Sequence, residues 1–164
     1  MELPPTLRLA VDQVLEGVST AQLAAATQAL SQRYRNEVRD GRLHLSDQLA
    51  AQAYIATRMP ATYAAIYTSL AAAAGRLPDL SPTTLLDIGA GPGTALWATL
   101  SVWPQLQSAT LIETSPAIRA VGQKLAAASA LPNIDWRDAD IRRGALNASS
   151  ADIVTLAYVL DERG

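Results

Sequence analysis

Three glycines at alternate positions follow a short run of β-forming residues and constrain this chain more than any other feature. Residues 85–94 read LLDIGAGPGT, and a helix-favouring segment follows at 95–100. Glycine lets the backbone turn sharply and lets a ligand approach it closely, which side chains would prevent. The pattern therefore predicts a loop between a buried strand and the start of a helix, a corner that is typical of nucleotide-binding sites.

The spacing of the glycines narrows the choice of ligand. The dinucleotide fingerprint G-x-G-x-x-G needs a glycine where this chain has threonine, and the Walker loop needs a lysine that is absent here. The pattern D-x-G-x-G-x-G instead resembles motif I of the class I S-adenosylmethionine-dependent methyltransferases. The resemblance implies that the loop passes under the amino-acid end of S-adenosylmethionine; the alternative is a tight turn that binds nothing. The residues implied in cofactor binding are Asp87, Gly89, Ala90, Gly91 and Gly93.

A second acidic residue follows the next predicted strand. Residues 109–113 form a short apolar run that ends in Glu113, 20 residues beyond Gly93. A carboxylate at the tip of a second strand can accept hydrogen bonds from both hydroxyls of a ribose. We therefore predict that Glu113 contacts the cofactor's ribose, and the adjoining Thr114 is also a predicted cofactor-binding residue. The alternative is a solvated acid before a helix, because the next two residues, Ser and Pro, suit an N-cap and a first helical turn.

A third acidic segment ends the predicted strand 134–137. In the methyltransferase family an acid followed by alanine lies beside the adenine at this place. The acid accepts a hydrogen bond from the exocyclic amine, and the small neighbour lets the ring lie flat. The resemblance implies this role for Asp138 and Ala139, although Asp140 would take it if the strand were shifted in register. An ordinary acidic loop explains either aspartate taken alone.

Composition excludes several other classes of function. The chain has 164 residues, 49% of them hydrophobic, which suffices for one domain with a core. It has no cysteine and one histidine, His44, so we expect no metal site. A net charge of −2 does not suggest a protein that coats nucleic acid by charge alone. No apolar run approaches ~20 residues, so we expect a cytoplasmic protein without a membrane helix or signal peptide.

The periodicity of the apolar residues changes at about residue 80. Before that point we predict an N-terminal helical region, residues 1–80, with four helices. Leu7, Val11, Val14 and Val18 lie on one face of the first, and the others begin at the capping pair Ser19 and Gln22, near Ser46 and at Pro60. After it, residues 81–164 alternate short strands with helices, which predicts a parallel sheet with right-handed crossovers. The predicted strands are 84–88, 109–113, 134–137 and 152–158.

A segment upstream of the glycine loop narrows the resemblance to one group. Residues 58–65 read RMPATYAA and match the pattern R-x-P-x-T-Y-A-A. That pattern is typical of the methyltransferase-like proteins of the mitochondrial small ribosomal subunit and their bacterial relatives. The 113–115 turn followed by Gly122, and the segment 157–162, are similar to the same group. The resemblance implies a Rossmann-like class I methyltransferase core that binds S-adenosylmethionine and acts around the small-subunit rRNA during ribosome assembly.

Two departures from the family concern turnover rather than cofactor binding. The family's sheet has seven strands in the order 3-2-1-4-5-7-6, and this chain supplies the first four. The family also tends to carry a cysteine cluster for iron–sulfur binding in its C-terminal half, and no cysteine is present here. We therefore expect a fragment that is not competent for turnover, or a protein that completes its sheet by self-association through an exposed fourth strand.

No catalytic residue can be named from the sequence. Amino-directed nucleic-acid methyltransferases carry Asn/Asp-Pro-Pro-Tyr/Phe after strand four, whereas residues 156–159 read LAYV; Tyr158 could line a target pocket, but a core tyrosine is the favoured interpretation. Two basic segments, 33–44 and 142–143, could contact RNA, although a solvated helix face is favoured for the first. Three functions stay open: a methyltransferase acting on or near rRNA, a non-catalytic assembly scaffold, and a small-molecule methyltransferase with the N-terminal helices as a lid.

Overall fold

The structure is a computed structural model that describes residues 2–35, 47–139 and 150–157, with the backbone alone for residues 33–35. Within those ranges the N-terminal region is helical and an α/β region follows it. The elements are α1 (Pro5–Leu15), α2 (Thr20–Arg35), α3 (Gln48–Thr57), α4 (Met59–Arg76), β1 (Thr84–Ile88), α5 (Thr94–Val102), β2 (Ser108–Ile112), α6 (Pro116–Ala126), β3 (Asn133–Arg137) and β4 (Ile153–Thr155).

The four strands form one parallel sheet in the order β3-β2-β1-β4. This arrangement confirms the predicted α/β class and matches the first four strands of the class I methyltransferase order. Strand β2 begins and ends one residue earlier than predicted, so Glu113 follows the strand, although its N–H still donates to the carbonyl of Arg137 at 3.1 Å. The predicted fourth strand is limited to β4, and Tyr158 lies outside the described residues.

Two apolar clusters hold the layers together. The first fills the space between the sheet and the helices α5 and α6, where Leu96 and Ala126 pack on Leu85 and Leu111. The second lies on the outer side of those helices and joins them to α1, α3 and α4. A hydrogen bond of 2.9 Å between the hydroxyls of Tyr63 and Ser101 links α4 to α5 within this second layer. The N-terminal helices therefore pack directly on the helix that follows the glycine loop.

The predicted helix starts are close to the observed ones. Ser19 and Gln22 form the expected reciprocal capping bonds, with the Gln22 N–H donating to Ser19 Oγ and the Ser19 N–H to Gln22 Oε1. The third helix begins after Asp47, whose carboxylate accepts from the Ala50 N–H at 2.8 Å. The basic segment 33–44, including His44, lies outside the residues with described side chains, as do Asp140 and the pair 142–143.

The segment 58–65 starts at the corner between two helices and continues into the second of them. Helix α3 ends at Thr57 and α4 starts at Met59, with Arg58 between them. Pro60 sits in the first turn of α4, where its missing N–H leaves no helical bond unmade. In the described ranges, we find no helix both long and apolar enough to cross a membrane.

Candidate functional site

The glycine loop has the backbone conformation that its sequence predicts. The φ angles of Gly89, Gly91 and Gly93 are +69°, +54° and +81°, a region that L side chains rarely adopt. The loop is tied to the end of β2 because the Ala90 N–H donates to the Ile112 carbonyl at 2.9 Å. A Cβ added at Gly91 would meet no atom within 4 Å, so the space above this residue is open to a ligand.

Glu113 points at the loop rather than away from it. Its Oε2 accepts from the Gly91 N–H at 2.9 Å, and its Oε1 accepts from the Ser115 N–H at 2.7 Å. The intervening Thr114 is half-buried. Ser115 occupies the N-cap position of α6 as expected, but its hydroxyl makes no capping bond to the helix. The Glu113 carboxylate therefore fixes the glycine loop against the start of α6.

Asp138 is held close to Glu113 by an arginine that the sequence analysis did not identify. Arg119 donates from Nη1 to the Glu113 carbonyl at 2.6 Å and from Nη2 to Asp138 Oδ2 at 3.2 Å. Ala139 follows and is half-buried. One signal could have indicated Arg119: it lies in the first turns of α6, where the helix dipole disfavours a cation unless an acceptor is nearby.

Asp87 lies one residue before the end of β1, inside the protein. Its side chain is buried, and Oδ1 accepts a hydrogen bond from the Thr155 hydroxyl at 2.7 Å. Oδ2 has no partner among the described residues. Burial raises the pKa of Asp87 to about 7; the Thr155 hydrogen bond opposes this rise and the charge of Glu113 adds to it. Thr155 is a second residue that the sequence analysis missed, because it lies 68 residues from Asp87 along the chain.

A small cavity adjoins Asp87. It has a volume of about 30 Å³, is walled on one side by the glycine loop and Thr94, and on the other by Tyr54, Thr62 and Ile66 from the α3–α4 corner. The buried Thr94 hydroxyl also lacks a partner in the described part of the chain. This volume is sufficient for a water molecule or an ammonium group. A larger open hollow of about 370 Å³ lies elsewhere, between α1, α3 and α6.

The loop rests on the ring of Trp136 from β3. The ring would be 3.7 Å from a Cβ at Gly93 and would overlap with a Cβ at Gly122. Because Gly122 of α6 has no side chain, the Trp136 ring can occupy the space beside it. In the described ranges no group of three or more His, Asp or Glu side chains could hold a metal ion.

The parallel sheet, the glycine loop and the strand-tip acids together define the class I methyltransferase fold. Comparison with solved structures agrees. The plantazolicin methyltransferase BpumL in complex with SAH superposes with a TM-score of 0.50 and 18% identity, over 90% of this chain and 49% of that one. The likeness shows the fold.

The sequence comparisons identify the family. The model of the family described as the mitochondrial small ribosomal subunit protein Rsm22 matches residues 48–163, and the chain belongs to this family. A human relative, "Ribosome assembly protein METTL17, mitochondrial", is 33% identical over 73 residues, which is 44% of this chain. The match spans 16% of the human protein's length.

Proposed function

We propose that the chain binds S-adenosylmethionine, and its product S-adenosylhomocysteine, between the glycine loop and the strand-tip carboxylates. The observation that carries this proposal is Asp87 Oδ2, a buried oxygen without a partner among the described residues, in the cavity beside the loop. A buried carboxylate oxygen without a donor is costly to the folded state. The α-ammonium group of the cofactor is a donor of the right charge and size for that cavity.

The other predicted site residues suit the rest of the same ligand. Glu113 is the carboxylate that follows the second strand beside the loop, a group of the type that accepts from ribose hydroxyls, and Thr114 adjoins it. Asp138 and Ala139 stand at the next strand tip, where the adenine would lie. The space above Gly91 is open, which leaves room for the ligand at the loop. The named residues therefore offer polar contacts for the ammonium group, the ribose and the adenine of the cofactor.

When bound, the cofactor supplies an electrophilic methyl group on its sulfonium. The chain's own residues position and shield it. Asp87 and Thr94 bind the ammonium end away from water, while Glu113 fixes the ribose, and such positioning supplies much of the rate enhancement in group transfer. Leu156 and Ala157 follow β4, and neither side chain can move a proton, so we assign no general base.

Calorimetry on the folded chain tests the cofactor assignment. We expect S-adenosylhomocysteine and S-adenosylmethionine to bind at one site, with methionine and adenosine each binding more weakly than the whole ligand. A titration in which neither ligand saturates the protein at millimolar concentration would contradict the proposal. Circular dichroism on the same samples shows whether the chain is folded.

We propose further that the protein binds small-subunit rRNA, or an assembly intermediate of that subunit, and methylates it. The description of the family and the name of the human relative support this assignment. We expect retention of small-subunit rRNA, relative to transfer RNA of equal charge per nucleotide, across a range of salt concentrations, because phosphate contacts alone weaken steeply as salt rises. Equal retention of both RNAs would contradict a specific role.

A non-catalytic assembly factor that retains the cofactor fold is the second candidate. The two described residues that follow β4, Leu156 and Ala157, favour it because neither side chain can act on a methyl acceptor. Incubation of small-subunit rRNA with radiolabelled S-adenosylmethionine distinguishes the two. Binding of rRNA without label transfer supports the scaffold, and label transfer supports the enzyme.

We also propose that the protein is cytoplasmic and that it self-associates through β4. Strand β4 is at the edge of the described sheet, and Val154 and Leu156 are 57% and 41% exposed. Sedimentation over a concentration series should show a dimer that Val154→Lys abolishes, because a lysine on an edge strand opposes pairing. Cell fractionation measures the location, since the human relative carries a mitochondrial name.

A further inference from the structure

Arg119 joins the tips of two neighbouring strands, and the proposed function gives it no role. Its guanidinium donates to the Glu113 carbonyl after β2 and to the Asp138 carboxylate after β3. The Arg119 side chain is 19% exposed, whereas the Asp138 side chain is 66% exposed. An acid that solvent could otherwise reorient is therefore held by a largely buried partner.

The position of Arg119 on its helix is unfavourable unless the two acceptors compensate. The start of a helix carries partial positive charge, which repels a cation there. Lys124, in the last turn of the same helix, has the favourable placement instead. A planar guanidinium can reach two acceptors with two different nitrogens, and a lysine ammonium cannot reproduce that geometry. The fork of Arg119 thus fixes the Asp138 carboxylate relative to the ribose-side residue Glu113.

We propose that Arg119 is a positioning residue that makes the cofactor site select a 6-amino purine over a 6-oxo purine. This inference rests on the proposed function, with Asp138 beside the base. A carboxylate accepts hydrogen bonds and does not donate them, so it favours an amine and opposes a carbonyl oxygen. It discriminates strongly only when it cannot turn away into water, and Arg119 removes that freedom.

The test compares two ligands that differ at one position of the base. Dissociation constants are measured for S-adenosylhomocysteine and S-inosylhomocysteine on the full chain. The wild type should prefer the adenosyl ligand by about tenfold or more, the scale of a hydrogen bond to a charged group. Arg119→Met and Arg119→Lys should both lose most of this preference. Lys124→Met, which removes a positive charge from the same helix, should retain it.

A double-mutant cycle separates positioning from a general structural role. Asp138→Asn should lose the preference by itself, because an amide can both accept and donate. Adding Arg119→Met to Asp138→Asn should then leave the ratio of the two dissociation constants unchanged. Thermal melts of each variant show which samples are folded, and the ratio is independent of the fraction of active protein.

The outcomes distinguish this inference from the proposed function. A folded wild type that binds neither ligand contradicts both. A wild type that binds the two ligands equally overturns the inference and leaves cofactor binding intact. Retention of the preference in either Arg119 variant, with both ligands weakened alike, shows that the arginine is only structural and also overturns it.

Discussion

Two carboxylates at the carboxyl ends of neighbouring strands, Asp87 and Glu113, have opposite surroundings. Asp87 is buried, has one oxygen without a partner among the described residues, and has a pKa raised to about 7. Glu113 is half-buried, and each of its oxygens already accepts a backbone N–H, one of them from the glycine loop. The first carboxylate lacks a donor that a ligand can supply, whereas the second is fixed in place before any ligand arrives.

This difference assigns the two acids different contributions to binding. Glu113 is preorganised, so a ligand spends little free energy on orienting it. Asp87 must be ionised to hold a cation, so its contribution depends on pH. The comparison predicts that changes at the two acids will differ in kind as well as in size.

The largest effect is expected at Gly91, which lies between the two acids. Gly91→Val should weaken S-adenosylhomocysteine binding by about a hundredfold or more, because the side chain would fill the open space above the loop. Gly17→Val is the matched control: Gly17 also has a positive φ, +80°, and an open Cβ position. Both variants should lose about 1–2 kcal/mol of stability from backbone strain. Equal loss of binding in both would show that strain, not occupied space, is responsible.

A smaller effect is expected at the preorganised acid. Glu113→Gln should cost about 1.5–3 kcal/mol of binding free energy, because an amide cannot accept from both backbone N–H groups and the ribose. Asp152→Asn is the control at the opposite end of the sheet, where Asp152 accepts from the N–H groups of Thr83 and Thr84. That change should lower the melting temperature without changing the affinity. Unaltered affinity in Glu113→Gln would show that the ribose contact is wrongly assigned.

The buried acid should make the affinity for the cofactor depend on pH. As pH rises through about 7, Asp87 becomes ionised and can hold an ammonium group, so affinity should rise about tenfold between pH 6 and pH 8. Asp87→Asn should abolish this slope. In the free protein the sign is reversed: stability should fall from about pH 4 to pH 7, because the unfolded chain ionises Asp87 at 3.8 while the fold retains the proton. An affinity of the wild type that does not change with pH would contradict the assignment of the ammonium contact to Asp87.

The smallest effect is expected at the hydroxyl beside that acid. Thr155→Val removes the hydrogen bond that lowers the pKa of Asp87, so the midpoint of the binding profile should move upward by roughly half to one pH unit. Thr99→Val is the matched control, because Thr99 is also buried and its hydroxyl donates to the Ala95 carbonyl within its own helix. A similar shift of the midpoint in both variants would show that the midpoint does not depend on the Thr155 hydrogen bond.

The sequence was sufficient for features that local patterns specify. The glycines of the loop require positive φ, and the apolar runs around them require buried strands, so β1, its loop and α5 follow from neighbouring residues. Glu113 could be predicted because the second strand of such a sheet ends beside the first. The strand order and the family were confirmed, while the division into two regions at residue 80 stays a prediction.

The remaining features depend on contacts between distant parts of the chain. Thr155 reaches Asp87 only because β4 lies beside β1, and Tyr54 closes the cavity only because the α3–α4 corner packs over the loop. No pattern within a few residues of either position predicts these contacts. The ends of β2 and β4 differed from prediction for a related reason, since hydrogen bonding between strands decides where each strand stops.

The fit between Gly122 and Trp136 has a consequence for how this family can vary. The ring fills the volume that any side chain at 122 would need, and the carbonyl carbon of Pro92 in the glycine loop lies 3.1 Å from the same point. Substitutions at positions 122 and 136 are therefore expected to depend on each other. A homologue with alanine or a larger residue at 122 should carry a smaller residue than tryptophan at 136, so the pair should appear as a correlated substitution.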